Sequence, residues 1–170
     1  MRTLYLLRHA KSSWDDPDLG DFDRPLAPRG IDATRRIAAR VREQDIAPAV
    51  VLCSPAVRAK ETLAGLGDAL GSPRVSLEQD MYEANETDLL AVLRTVGPEV
   101  ESVLMIGHNP SIQRLALLLC TEGELLDRVR SKFPTAALAT LAIESAEWHR
   151  LRMGDATLEA FVRPKELQAP

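Results

Sequence analysis

Apolar positions along the chain fall into short continuous runs separated by stretches with helical spacing. Thr3 to Leu7 carries no polar alternation, which predicts a strand buried on both faces. Ala49 to Cys53 and Ser102 to Ile106 read the same way, and Arg74 to Leu77 predicts a shorter strand. Ala136 to Ile143 predicts a further strand. Trp148 to Met153 and Leu158 to Val162 are expected to pair with it around Gly154-Asp155.

Between these runs lie the helices. Lys11 to Pro28 is rich in Asp, Pro and Gly and reads as loop. From Arg29 to about Gln44, Ile31, Ala38, Val41 and the intervening alanines form an apolar side opposite an Arg-rich solvent side. Ser54 is a good N-cap and Pro55 suits the first helical position, so a helix is expected from there to Leu70, ended by Gly71. Asn85 to Val96 places Leu89, Leu90, Val92 and Leu93 at helical spacing before Gly97-Pro98, and Ser111 to Cys120 is a strongly apolar helix. Strands alternating with helices predict a three-layer α/β/α sandwich with a mainly parallel central sheet. One domain is expected over residues 1–163, with 164–170 as a C-terminal tail.

Composition narrows the function classes. The chain has 170 residues, 45% hydrophobic and 27% charged, which is ordinary for a globular fold with a real core. Its net charge is −4 with both signs mixed along the chain, so no basic block points to nucleic acid. Cys53 and Cys120 each sit in an apolar run and read as small core residues; neither a disulfide framework nor a zinc motif is present. The N-terminal apolar stretch is too short for a secretory signal, and no run approaches the ~20 apolar residues of a membrane span. The expectation is a cytoplasmic protein with no membrane partner. Nothing in the pattern speaks to oligomeric state.

The chemistry-bearing residues fall at three junctions. Arg8-His9 ends the first strand, Arg58 follows the second in the first turn of its helix, and His108 stands between the Ser102–Ile106 strand and the next helix. In an open parallel sheet, ligands bind at the carboxyl ends of strands, beside helix N-termini that favour anions. Two guanidinium groups supply forked donors for paired oxygens. Their fixed charge disfavours a second cation, so His9 is expected to stay neutral with a lone pair free for phosphorus. His108 is placed to stabilise charge on a transferring group. The same arginines oppose a metal ion between the histidines. Nucleotide-binding glycine loops and a serine nucleophile elbow are absent.

Leu7-Arg8-His9-Ala10, the segment Ser54 to Thr62 and Gly107-His108-Asn109-Pro110 together resemble, in order, the motifs of the histidine phosphatase (phosphoglycerate mutase-like) superfamily. The likeness extends to about Ile143. Asp23-Arg24-Pro25-Leu26 and Phe133-Pro134-Thr135-Ala136 are most similar to its SixA-type phosphohistidine phosphatases. The resemblance implies transient phosphorylation of His9, with Arg8, Arg58 and His108 forming the phosphate pocket and neither metal nor cofactor required. Arg24 fits a contact to the phosphate and a loop salt bridge equally, and Ser12 fits a phosphate contact and a local turn hydrogen bond.

Departures from the family pattern bear on the substrate. Ala10 stands where the family has glycine, adding a methyl group near the nucleophile. Lys11 and Asp15 replace the Glu and Asn of mutase-like members and argue against sugar phosphates. Glu83 is the best match to the family's general acid, and equally fits a solvated carboxylate near a helix start. The expected substrate is a protein phosphohistidine; the rivals are a small phosphoester, with Glu83 as proton donor, and a non-catalytic phosphate-binding module. His149, outside the motifs, is expected on a surface strand.

Overall fold

The side chains of strand β1 (Arg2–Arg8) explain the layering. Leu4 and Leu6 enter one apolar cluster, while Tyr5 and Leu7 pack into another on the opposite face. Successive side chains of a strand point to opposite faces, so a run without alternation places the strand in the middle layer. Helices α1 (Pro28–Glu43) and α2 (Val57–Leu66) cover the Leu7 face. Helices α3 (Glu86–Arg94), α4 (Ser111–Leu119) and α5 (Leu126–Ser131) cover the Leu4 face. A computed structural model describes residues 1–144 and 147–170.

The remaining strands are β2 (Val50–Cys53), β3 (Arg74–Leu77), β4 (Ser102–Gly107), β5 (Leu138–Ile143) and β6 (Ala156–Val162). The sheet runs β3-β2-β4-β1-β5-β6. Pairs β3-β2, β2-β4 and β4-β1 are parallel; β1-β5 and β5-β6 are antiparallel. This is the mainly parallel three-layer fold that the pattern predicts. Cys53 and Cys120 are buried, free core thiols.

Several local expectations are corrected. Ser54 does not sit at the helix start: Ala56, with ψ 141°, is still non-helical and α2 begins at Val57, while the Ser54 hydroxyl accepts from the Ala56 amide at 3.3 Å and meets His108 Nε2 at 2.7 Å. The helix stops at Leu66 and continues to Leu70 only as a 3-10 turn, since Gly67 takes a positive φ of 51°. Ile31 is 45% exposed; the buried side of α1 is Gly30, Thr34, Ile37, Ala38 and Val41. Trp148 to Arg150 is a 3-10 turn rather than a strand, because the Trp148 indole is buried and donates to the Val100 carbonyl at 2.7 Å. His149 is exposed on that turn, 3.6 Å from the Glu147 carboxylate. The segment after 163 starts with a 3-10 turn, where Glu166 pairs with Arg128 and Arg163, and the Leu167 carbonyl accepts from Arg36 at 2.9 Å.

One close approach fixes the wall beside His9. A Cβ on Gly30 would stand 2.1 Å from the Lys11 carbonyl oxygen. That carbonyl already accepts from the Ala27 amide at 2.8 Å. Only glycine lets the first turn of α1 lie on the chain two residues past His9.

Candidate active site

Register brings three strand ends to one edge. Arg8 is level with Gly107, and Cys53 with Ile106. Beyond the ladders, the His9 amide donates to the Gly107 carbonyl at 2.9 Å and the Ser54 amide to the Ile106 carbonyl at 3.0 Å. His9, Ser54 and His108 therefore leave the sheet side by side, at the carboxyl ends of its parallel strands. The two imidazole centroids are 5.1 Å apart.

His9 is 7% exposed, and its Nδ1 lies 2.7 Å from the Ala10 carbonyl oxygen. A carbonyl only accepts, so Nδ1 holds the proton and Nε2 keeps its lone pair. Burial pushes the His9 pKa down to about 3; the Ala10 hydrogen bond opposes this, and His108, Arg58 and Arg8 lower it further. The expected direction is right, but desolvation outweighs the arginines as its cause. His108 is lowered to about 4, again chiefly by burial and then by Arg58. Its Nε2 lies 2.7 Å from Ser54 Oγ, while its buried Nδ1 has no partner.

The two motif arginines are held differently. Arg8 donates Nη1 to the Phe133 carbonyl at 3.0 Å, which ties the end of β1 to the segment before β5. Arg58 leaves the first turn of α2 and donates both terminal nitrogens to Asp21, Nη1 to the carbonyl at 2.6 Å and Nη2 to Oδ2 at 3.0 Å. The Nε atoms of both arginines are buried without a partner. Thr62, one turn along α2, donates to the Arg58 carbonyl at 2.7 Å and accepts from the Ala10 amide at 2.9 Å. That hydroxyl joins the Arg58 helix to the residue after the His9 ring. Ala10 is fully buried in the apolar cluster beneath α1 and α2, so its methyl group is absorbed by the core.

Arg24 and Ser12 belong to the same network. Arg24 donates to Ser12 Oγ at 2.5 Å and pairs with Asp21 at 3.1 Å, and its guanidinium lies 3.6 Å over the Trp14 ring. Both residues are buried. The loop salt bridge thus forms within reach of Arg58 through a shared carboxylate. Glu83 is exposed at a positive φ of 56°, one residue past Tyr82, and no hydrogen bond ties it to the histidines.

Asp21 and Tyr82 are the residues that sequence reasoning missed. Asp21 accepts from Arg24, Arg58 and, at 2.7 Å, the Tyr82 hydroxyl. The Tyr82 bond, then Arg24 and Arg58, hold its carboxyl down at about 2. Tyr82 in turn stacks edge-on against His108 at 5.7 Å and Phe22 at 5.0 Å. The available signal was the spacing of Asp21 three residues before Arg24. Four other aspartates in the same loop, Asp15, Asp16, Asp18 and Asp23, made it indistinct.

The assembled group contains a neutral buried imidazole with a free Nε2, a second imidazole beside it, and two arginines with donors to spare. Such an arrangement has the donors to bind an oxyanion and a lone pair able to act as a nitrogen nucleophile. The profile of the histidine phosphatase superfamily (branch 1) matches residues 4–89. An uncharacterized protein of Mycobacterium tuberculosis is 35% identical over 163 residues, covering 94% of this chain and 100% of that protein. The phosphohistidine phosphatase SixA of Escherichia coli is 30% identical over 146 residues, covering 84% of this chain and 86% of that one. The structure of a protein histidine phosphatase SixA complexed with tungstate superposes with a TM-score of 0.79 at 27% identity, covering 98% and 99% of the two chains. Among the described residues, no helix is long and apolar enough to cross a membrane.

Proposed function

Since the chain belongs to the histidine phosphatase superfamily (branch 1) and is a phosphatase of that family, we propose that it removes phosphoryl groups from phosphohistidine on a protein, with His9 as the nucleophile. The observation that carries this reading is the His9 Nδ1 bond to the Ala10 carbonyl, which leaves a neutral Nε2 lone pair at the strand edge.

Two displacements complete the reaction. Nε2 of His9 attacks phosphorus as the phosphorus–nitrogen bond of the substrate breaks, and the departing imidazole takes a proton from solvent. Arg8, Arg58 and His108 face the oxygens of the transferring group, with Arg58 exchanging its Asp21 bond for the phosphoryl oxygens. Arg24 and Ser12 support this exchange through the same Asp21 network. Water then attacks phospho-His9, inorganic phosphate leaves, and the imidazole returns to its neutral form.

The choice of phosphohistidine rests on the leaving group. An alkoxide needs a proton donor placed in the site, whereas an imidazole ring takes its proton from solvent on the other nitrogen and leaves as the neutral base. Asp21 is the carboxylate within the cluster, and with its pKa held near 2 it is ionised and cannot donate. Glu83, the remaining candidate acid, carries no hydrogen bond that would aim it at the site. The relative named for phosphohistidine and the relative holding tungstate, a tetrahedral oxyanion, support the same reading.

The test is phosphate release from a phosphohistidine peptide in excess chelator, comparing the wild-type protein with His9→Ala. Release by the wild type alone is expected. Equal rates for the two proteins, or loss of release on chelation, would overturn the scheme.

A further inference from the structure

A cleft of about 380 Å³ adjoins the proposed site and is lined by Lys11, Arg29, Lys132, Arg163 and Lys165, with no acidic residue in its wall. Two of the chain segments that line it also flank His9. Lys11 lies two residues after His9 in the chain. On the other side, Pro134 and Thr135 follow Phe133, whose carbonyl accepts from Arg8, and the Ala136 amide donates to the Arg8 and His9 carbonyls at 3.0 and 3.2 Å.

The charge is concentrated, and four of its five cations have no carboxylate partner among the described residues. The chain carries a net −4, yet five cations converge here. Among the described residues, no carboxylate pairs with Lys11, Arg29, Lys132 or Lys165, and only Arg163 has a partner, Glu166. The Arg163 Nε is buried without a hydrogen bond. Guanidinium and ammonium groups held together with one counter-charge among five attract an anion of matching shape.

We propose that this cleft takes acidic side chains of the protein substrate, aspartates or glutamates flanking the phosphorylated residue, while the phosphoryl group lies over His9. The inference rests on the phosphoprotein reading above and adds the feature by which one substrate is preferred to another. A nucleic acid fits the cleft less well, because no aromatic side chain lines it for bases to stack on and it is too short to track a backbone. Four of the five cations are exposed, so the attraction acts mainly on capture and is screened by salt.

The experiment compares two phosphohistidine peptides, one with glutamates and one with glutamines at the same flanking positions. For the wild type at low salt, kcat/KM is expected to be roughly tenfold higher on the glutamate peptide, shrinking as salt is added. Lys132→Glu/Lys165→Glu should abolish or reverse that ratio and leave hydrolysis of free phosphoramidate unchanged. Lys132→Gln/Lys165→Gln should fall between. Equal rates on the two peptides, or a ratio unaffected by charge reversal, would overturn the proposal. A fluorescent unphosphorylated glutamate peptide, titrated into the wild type and both variants, separates this inference from the substrate assignment. If no phosphohistidine peptide is turned over, salt-sensitive binding lost on charge reversal still supports the acidic-segment site. An oligonucleotide that binds more tightly than the peptide, and is lost with the same lysines, would overturn it.

Discussion

The Asp21 carboxylate holds Nη2 of Arg58 at 3.0 Å, and the Asp21 carbonyl holds Nη1 of the same guanidinium at 2.6 Å. A residue from the loop after β1 thus occupies the fork that the first turn of α2 presents beside His9. The side chain of Asp21 is half exposed, that of Arg58 almost wholly buried, so the carboxylate is the partner able to move aside.

An oxyanion entering the site competes with that carboxylate. Asp21→Asn keeps the shape and removes the charge. The inhibition constant of inorganic phosphate is expected to fall about threefold, the scale of a part-exposed ionic contact. Competition measured against a phosphohistidine peptide checks it. Weaker phosphate binding would mean that Asp21 acts by aiming Arg58 rather than by blocking it.

Stability should fall on mild acidification. In the unfolded chain both imidazoles titrate near pH 6.5, whereas in the folded protein His9 and His108 lie at about 3 and 4. Between those limits the unfolded state binds more protons, so stability drops as pH falls below 6.5 and is unaffected by these groups above it. At pH 5 the loss is of the order of 2 kcal/mol for each imidazole. Asp21, depressed to about 2, adds a further loss only below its unfolded pKa of 3.8. Thermal melts across pH 7 to 4 read the effect, and His9→Asn/His108→Asn should flatten the curve above pH 5.

Gly30→Ala tests the wall beside the proposed nucleophile. The added methyl group meets the Lys11 carbonyl at 2.1 Å, and that backbone must shift. The expected cost is about 1–3 kcal/mol in urea unfolding. Activity should fall further than stability alone explains, because Lys11 is two residues from His9. Wild-type turnover in the folded variant would show that the 9–11 segment is not under this constraint.

Glu83→Gln separates ester from phosphoramidate chemistry. Turnover of a phosphohistidine peptide is expected to stay within about twofold, while hydrolysis of an alkyl phosphate falls by up to ~10²-fold if Glu83 supplies the proton there. Parallel kinetics on the two substrates decide it. A hundredfold loss on phosphohistidine would place Glu83 in the leaving-group step.

What the sequence by itself determined follows from short-range regularities. Unbroken apolar runs in β1, β2 and β4 marked strands buried on both faces, since only a middle layer hides both faces of a strand from water. Strand ends then located Arg8-His9, Arg58 and His108 at one edge, because parallel strands share a direction. Tertiary structure decided the rest. Ser54 reads as a helix cap by its neighbours, but the helix starts at Val57 and the Ser54 hydroxyl also meets His108, 54 residues away. Trp148 scored as strand, yet the Val100 carbonyl draws its indole inward on a 3-10 turn. Nothing local marks Asp21 among the five aspartates of its loop; the fold brings Arg58 and Tyr82 to it. Local propensity depends on near neighbours, whereas a hydrogen bond goes to whichever partner the folded chain carries within about 3 Å.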